Sequence, residues 1–264
     1  MEQLSPEVKE LLTCLDKKEK LMAMIAPSFP IAFEYPQIVG QLKRLGFAHV
    51  FEVSRGAAET NCQVLDSMKK NSKARIIASP CPTIVRLIRQ KYPHLVQFLS
   101  KADSPMSATA KLILAKYPDY KVVFIGPCPA KKLEAREDRK DLNILAITYI
   151  ELQQIFKTKG IEPDKNDVLT GFDLIGFQTR LYPISGGLSQ SSGLVDKLTD
   201  EELDVISGLK NVNQSLDSFS KNRLKFLDIL FCDGGCINGP GIKSDLNSEE
   251  RRKKIINHWA KIVK

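Results

Sequence analysis

Six cysteines occur in these 264 residues, and four of them, Cys81, Cys128, Cys232 and Cys236, sit within two residues of proline or glycine where the backbone turns. Clustered thiols in a chain this long bind metal or do redox chemistry more often than they build a disulfide scaffold. Cys14 and Cys62 stand alone within helical patterns and read as small packed hydrophobes. Four sulfur ligands suit either a structural zinc or an iron–sulfur cluster. Zinc usually takes two tight pairs, whereas here only Cys232 and Cys236, in "FCDGGCINGPG", are close in sequence. A cubane is larger than one ion and accepts ligands from separate loops, so the spacing favours the cluster. The neighbours agree. Pro82 suits a first helical position, which aims free amides at an anion beside Cys81. Gly234, Gly235, Gly239 and Gly241 let backbone approach bulky sulfide.

A second group lies in "GPCPAKKLEARE". Lys131 is three residues beyond Cys128 and Glu134 three beyond Lys131, so a helical turn puts all three on one face. A lysine and a carboxylate at a metal site can stabilise an anionic ligand and move a proton. The competing reading is a charged surface helix, because Lys132, Arg136 and Glu137 continue the charge run.

The elements that must position these residues alternate. "LMAMIAP", "HVFEVS", "ARIIASP", "KVVFIGP" and "RLKFLDILF" read as apolar strands, and "NILAITYIELQQIFKTKG" as a strand entering a helix. Between them "YPQIVGQLKRLG", "AAETNCQVLDSMKK", "CPTIVRLIRQKYP" and "PMSATAKLILAKYP" read as helices. This alternation implies an α/β fold of mainly parallel sheet covered by helices. Cys81, Cys128 and Cys232 each fall just past the carboxyl end of a strand, where open α/β sheets bind ligands.

With 43% hydrophobic and 27% charged residues the chain is an ordinary globular sequence. No run is long enough to span a membrane, and the start lacks a signal-peptide core, so a cytoplasmic location is expected. The net charge of +8 could suit nucleic acid, membrane or an acidic protein; a solvated surface accounts for most of it. In the tail "RRKKIINHWAKIVK", Ile255, Ile256, Trp259, Ile262 and Val263 recur at helical spacing opposite a basic face. A terminal helix packing on the body is preferred to a nucleic-acid or membrane helix.

These segments together resemble the catalytic, H-cluster domain of the iron-only (FeFe) hydrogenases, from about Leu21 onward. The family signatures T-S-C-C-P, P-C-x-x-K-K-x-E and C-x-x-x-C with a glycine-rich turn appear as "ASPCP", "PCPAKKLE" and "CDGGCINGPG", the first only in part. Shorter echoes are "SPMSATAK" and "ISGGLSQSSG". The resemblance implies two lobes, each a mainly parallel sheet flanked by helices, with the cofactor in the cleft between them. A helix in residues 1–20 would precede one domain over 21–264, with lobes near 21–112 and 113–248 and a closing helix over 249–264. It implies a 4Fe–4S cubane on Cys81, Cys128, Cys232 and Cys236. It further implies a bridge from Cys236 to a two-iron subcluster bearing carbon monoxide, cyanide and dithiolate, with Lys131 bonded to a cyanide. Glu134 and Ser104 fall at proton-route positions. The implied reaction is the reversible conversion of two protons and two electrons to dihydrogen. The implied partners are proteins that mature the H-cluster.

The sequence also departs from the family. The proton-donating cysteine before the first ligand is Pro80, which has no proton to give. Methionines expected near the second and third ligands are Gly126 and Leu230, and Gln63 and Val64 lie where acids are expected. These changes imply slow turnover, as in sensory branches, or a domain holding only the cubane, as in related cytosolic assembly proteins. Cys14 and Cys62 are too few to bind a further cluster, so electrons are expected from a separate ferredoxin-like protein, whose docking the positive balance would aid.

Overall fold

The computed structural model describes residues 4–71, 73–78 and 80–261. Ser79 of the first signature and Ile262 and Val263 of the tail stripe lie outside the described residues.

In chain order the elements are α1 (Pro6–Asp16), β1 (Leu21–Ile25), α2 (Gln37–Leu45), β2 (Phe47–Glu52), α3 (Ser54–Lys70) and β3 (Ile76–Ile77). Then come α4 (Pro82–Lys91), α5 (Pro105–Lys116), β4 (Lys121–Gly126), α6 (Ala130–Leu133), β5 (Leu145–Thr148) and α7 (Tyr149–Lys159). The last are α8 (Gly187–Ser191), β6 (Leu203–Ser207), α9 (Leu209–Phe219), β7 (Phe226–Leu230) and α10 (Ser248–Ala260). Local chemistry sets several boundaries. Ser5 and Ser104 cap α1 and α5, each followed by proline at the first helical position. Thr148 with Glu151 and Asn247 with Glu250 form reciprocal capping boxes on α7 and α10. Gly46, at a φ of 124° that few other residues tolerate, closes α2.

The strands form two sheets, ordered β2-β1-β4-β5 and β3-β7-β6, and every pair between them is parallel. Strands β1 and β7 are buried along their whole length, as expected of strands covered on both faces. The first sheet anchors the larger core, with Met24, Phe29, Ile38 and Tyr149; Ile84, Val212, Phe219 and Leu227 build the core of the second.

Each sheet draws strands from both sides of residue 112, so the two lobes interleave along the chain and do not divide into 21–112 and 113–248. The reason is edge occupancy: β2 and β4 take both edges of β1, and β3 pairs with β7, far later in sequence. The strand β6 is absent from the expected elements. Its "LDVIS" is half-exposed at a sheet edge and lacks the continuous apolar run that identifies the inner strands. Cys14 is buried, but Cys62 is exposed, contrary to expectation, because α3 buries the face carrying Gly56, Thr60 and Val64 instead.

The closing helix α10 packs its apolar side inward, with Ile255 buried and His258 edge-on to Phe29 at 5.0 Å. No helix among the described residues is long and apolar enough to cross a membrane. At the carboxyl end of β2, Arg180 Nε donates to both carboxylate oxygens of Glu52 at 2.8 Å, in a pair almost wholly removed from solvent.

Candidate metal centre

All four turn-associated cysteines line one cavity at the carboxyl ends of strands from both sheets. Cys81 caps α4 shortly after β3, with Pro82 at the first helical position as expected. Cys128 lies two residues past β4, Cys232 two past β7, and Cys236 opens a single 3-10 turn, Cys236–Asn238. The space, counted out into open solvent at its mouth, is about 780 Å³. Its walls are mostly apolar, built by side chains such as Ala26, Val53, Met106, Phe124 and Leu230. Among the described lining residues Lys131 is the one with a charged side chain. No three His, Cys, Asp or Glu among the described residues are grouped to hold one metal ion.

The glycines near Cys236 bring backbone close to backbone. Gly235, at a φ of 108°, turns the chain so that a Cβ there would lie 2.5 Å from the Pro183 carbonyl oxygen. A Cβ on Gly239 would lie 2.5 Å from the Pro127 carbonyl oxygen. Gly235 thus lets the Cys232–Cys236 loop press against Pro183–Ser185, whereas Gly239 brings the following turn against the loop carrying Cys128, where the Gly241 amide donates to Pro127 O at 2.8 Å.

Burial dominates the thiol chemistry. It raises Cys128, with the charge of Cys81 adding and Lys131 and nearby amides opposing. Cys232 is pushed up to about 11 by burial and then by Cys128 and Cys81. Cys236 rises well above its ordinary value through burial and the other three thiols, against Lys131. Four mutually repelling thiolates in an apolar space require a cationic guest to be stable as anions.

Lys131, Glu134 and Ser104 come together beside this cavity. Lys131 Nζ donates to Glu134 Oε2 at 2.6 Å and to the Pro80 carbonyl oxygen at 3.1 Å. Ser104 Oγ donates to Glu134 Oε1, and Ser107 Oγ reaches the same oxygen at 3.2 Å. Ser104, Ser107 and Glu134 also line a separate outer pocket with Asp103 and Arg139. Glu134 thus stands between that pocket and the lysine that faces the thiols. It is no surface charge, being 7% exposed.

The substituted positions have their own packing. Phe124 covers the place where a side chain at Gly126 would project, a Cβ there lying 2.5 Å from two ring carbons. Gln63 binds Asp103, accepting from its amide at 2.8 Å and donating to Oδ2 at 3.3 Å. Burial alone would raise the Asp103 carboxyl, but Lys111, Arg139 and Gln63 hold it below the usual range.

The sequence pattern did not single out the Ala26–Ser28 wall. Ser28 Oγ pairs with Tyr149 Oη at 2.8 Å, and Tyr149 donates to the Ala26 carbonyl at 2.9 Å. The available signal was its place just past β1, the same rule that located the cysteines.

Residues 19–240 match the family described as iron only hydrogenase large subunit, C-terminal domain. The chain is 24% identical to iron hydrogenase 1 of Clostridium pasteurianum, over 78% of the chain and 45% of that protein. It is 27% identical to the periplasmic Fe hydrogenase large subunit of Nitratidesulfovibrio vulgaris, over 89% and 71%. It is also 26% identical to the cytosolic Fe-S cluster assembly factor NAR1 of Encephalitozoon cuniculi, over 63% and 51%. The chain spans about half the length of the Clostridium and Encephalitozoon proteins. In three dimensions it matches the FeFe-hydrogenase HydA1 from Chlamydomonas reinhardtii with a TM-score of 0.70 and 19% identity, covering 94% of this chain and 88% of that one. That likeness is one of fold.

Proposed function

Because the chain belongs to the family of the C-terminal domain of the iron-only hydrogenase large subunit, we propose that it is a hydrogenase-type iron–sulfur oxidoreductase. It interconverts protons and electrons with dihydrogen, slowly or as a hydrogen sensor. In this reading Cys81, Cys128, Cys232 and Cys236 hold a 4Fe–4S cubane. The observation that carries it is the convergence of these thiols, from three remote loops, on one apolar cavity. Ala26, Ser28 and Met106 line the same space as the thiols, and there Cys236 would hold a two-iron subcluster with carbon monoxide, cyanide and dithiolate ligands.

The bound clusters supply electron storage and the metal that handles hydrogen. The chain supplies the rest. Lys131 presents a desolvated cation to an anionic ligand, a contact stronger than a neutral hydrogen bond. Glu134 fixes that ammonium through Oε2 and can hold a proton at the boundary with the outer pocket, where Ser104 Oγ and Ser107 Oγ meet Oε1. The apolar walls exclude water. Pro80 contributes only its carbonyl, which restrains Lys131 and donates no proton, and this is why turnover is slow. The partners are a ferredoxin-like electron carrier and H-cluster maturation proteins, and the location is cytoplasmic.

Pro80 also favours a second reading, in which the cubane alone serves electron transfer, cluster assembly or signalling. One experiment separates them. The chain is reconstituted anaerobically with iron and sulfide, counted for iron, and then treated with a synthetic two-iron precursor. Infrared bands of bound carbon monoxide and cyanide, with hydrogen production, support the first reading. Four irons per chain with a cubane spectrum and no such bands support the second. A colourless, zinc-binding protein refutes both.

A further inference from the structure

The two adjacent lysines after Cys128 point to opposite sides of α6. Lys131 faces the cavity. Lys132 Nζ faces away, donating to Glu7 Oε2 at 3.0 Å and Glu151 Oε1 at 2.5 Å. All three side chains are largely shielded from solvent. Glu151 is itself fixed, accepting from Ser5 Oγ at 2.5 Å and, through Oε2, from the Thr148 amide at 2.8 Å. Glu7 receives Arg136 as well, at 3.2 Å.

The segment so held is anchored beyond α6 by Glu134, bonded to Ser104 and Ser107, and by Ala135 in the larger core. The helix α6 is one turn of four residues, none of them buried, and it passes directly into a π-helical turn, Glu134–Asp138. A single turn is not stable alone, so its placement depends on outside contacts. On the side facing α1 and α4 those contacts are ion pairs: Lys132 to Glu7 and Glu151, Arg136 to Glu7, and Asp138 to Arg86 and Arg89. Glu7 belongs to α1, which lies before the family-matched stretch 19–240.

We infer that Lys132, gripped by Glu7 of the N-terminal helix and by Glu151, is the positioning residue that sets the loop carrying Cys128 and turns Lys131 toward the cavity. The inference rests on the proposed cubane for its consequence at the metal, but the placement of the loop can be read without it. Outer partners of metal ligands typically change metal affinity 10–100-fold when removed. Lys132→Met and Glu7→Ala should each speed loss of the reconstituted cubane to a chelator by roughly tenfold. Lys132→Arg should stay near the parent rate. The double variant should fall short of the product of the singles, because both remove the same contact.

Glu10→Ala is the control. Glu10 sits on the same helix but binds Lys121, at the start of β4. That is about 16 Å of strand from the Cys128 end. It should leave the cubane unaffected. In the metal-free chain, amide exchange over residues 128–138 should quicken with Lys132→Met and Glu7→Ala and stay unchanged with Glu10→Ala. This second readout decides the matter even if no cubane assembles, an outcome that would count against the proposed function alone. Unchanged exchange at 128–138 in both variants, or equal effects from Glu10→Ala, overturns the inference.

Discussion

Replacing Lys131 by methionine keeps most of the side chain's reach and removes its charge, which leaves Glu134 buried with only the hydroxyls of Ser104 and Ser107. The two charged side chains are 11% and 9% exposed and 2.6 Å apart, so solvent screens them little. Breaking a buried pair from one side typically costs about 3–5 kcal/mol, because a charge is left uncompensated. Lys131→Met should therefore lose roughly 3 kcal/mol of folding stability at neutral pH. Glu134→Gln should lose less, because the ammonium keeps the Pro80 carbonyl and an amide oxygen can still accept. In the double variant no charge is stranded, so the two losses should fall short of adding, by about 1–3 kcal/mol. The assay is equilibrium urea unfolding of the metal-free chain under reducing, oxygen-free conditions, with all four cycle members at one pH. Additivity within about 0.5 kcal/mol would show that the pair is effectively solvated. The account of Lys131 as a desolvated cation at the cavity edge would then be wrong.

Other outcomes follow from the same geometry. Cys62→Ser, on the exposed face of α3, should leave iron content unchanged, whereas Cys128→Ser should lower it; iron analysis after reconstitution checks both. Gly235→Ala places a Cβ 2.5 Å from backbone at a φ of 108° and should cost about 1–3 kcal/mol, read by the same unfolding assay. His258 is pushed down to about 3, first by burial and then by Arg180 and Lys261. The unfolded chain therefore takes up a proton near pH 6.5 that the folded chain refuses until about pH 3. Stability is fully present above pH 6.5 and falls as pH drops through that window, by at most about 1.4 kcal/mol per pH unit. His258→Phe should flatten this slope between pH 6 and 4.5, and an unchanged slope refutes the assignment.

The placement of Cys81, Cys128 and Cys232 past strand ends followed from short-range signals alone, because strands, turns and helix starts are written locally in apolar runs, prolines and capping residues. The α/β class and the paired charges at Lys131 and Glu134 were legible in the same way. Pairing of strands was not. That β1 lies between β2 and β4, while β3 crosses to β7, depends on which edges remain free once the chain has collapsed. The fate of Cys62 likewise turned on which face of α3 met the body. The glycines after Cys232 show the limit most plainly: their types announced a close approach, but only the assembled loops reveal that Pro183 and Pro127 are what they approach. Local energies choose the elements and chemistry of this chain, whereas contacts between residues far apart in sequence decide what each face buries and which loops meet around the cavity.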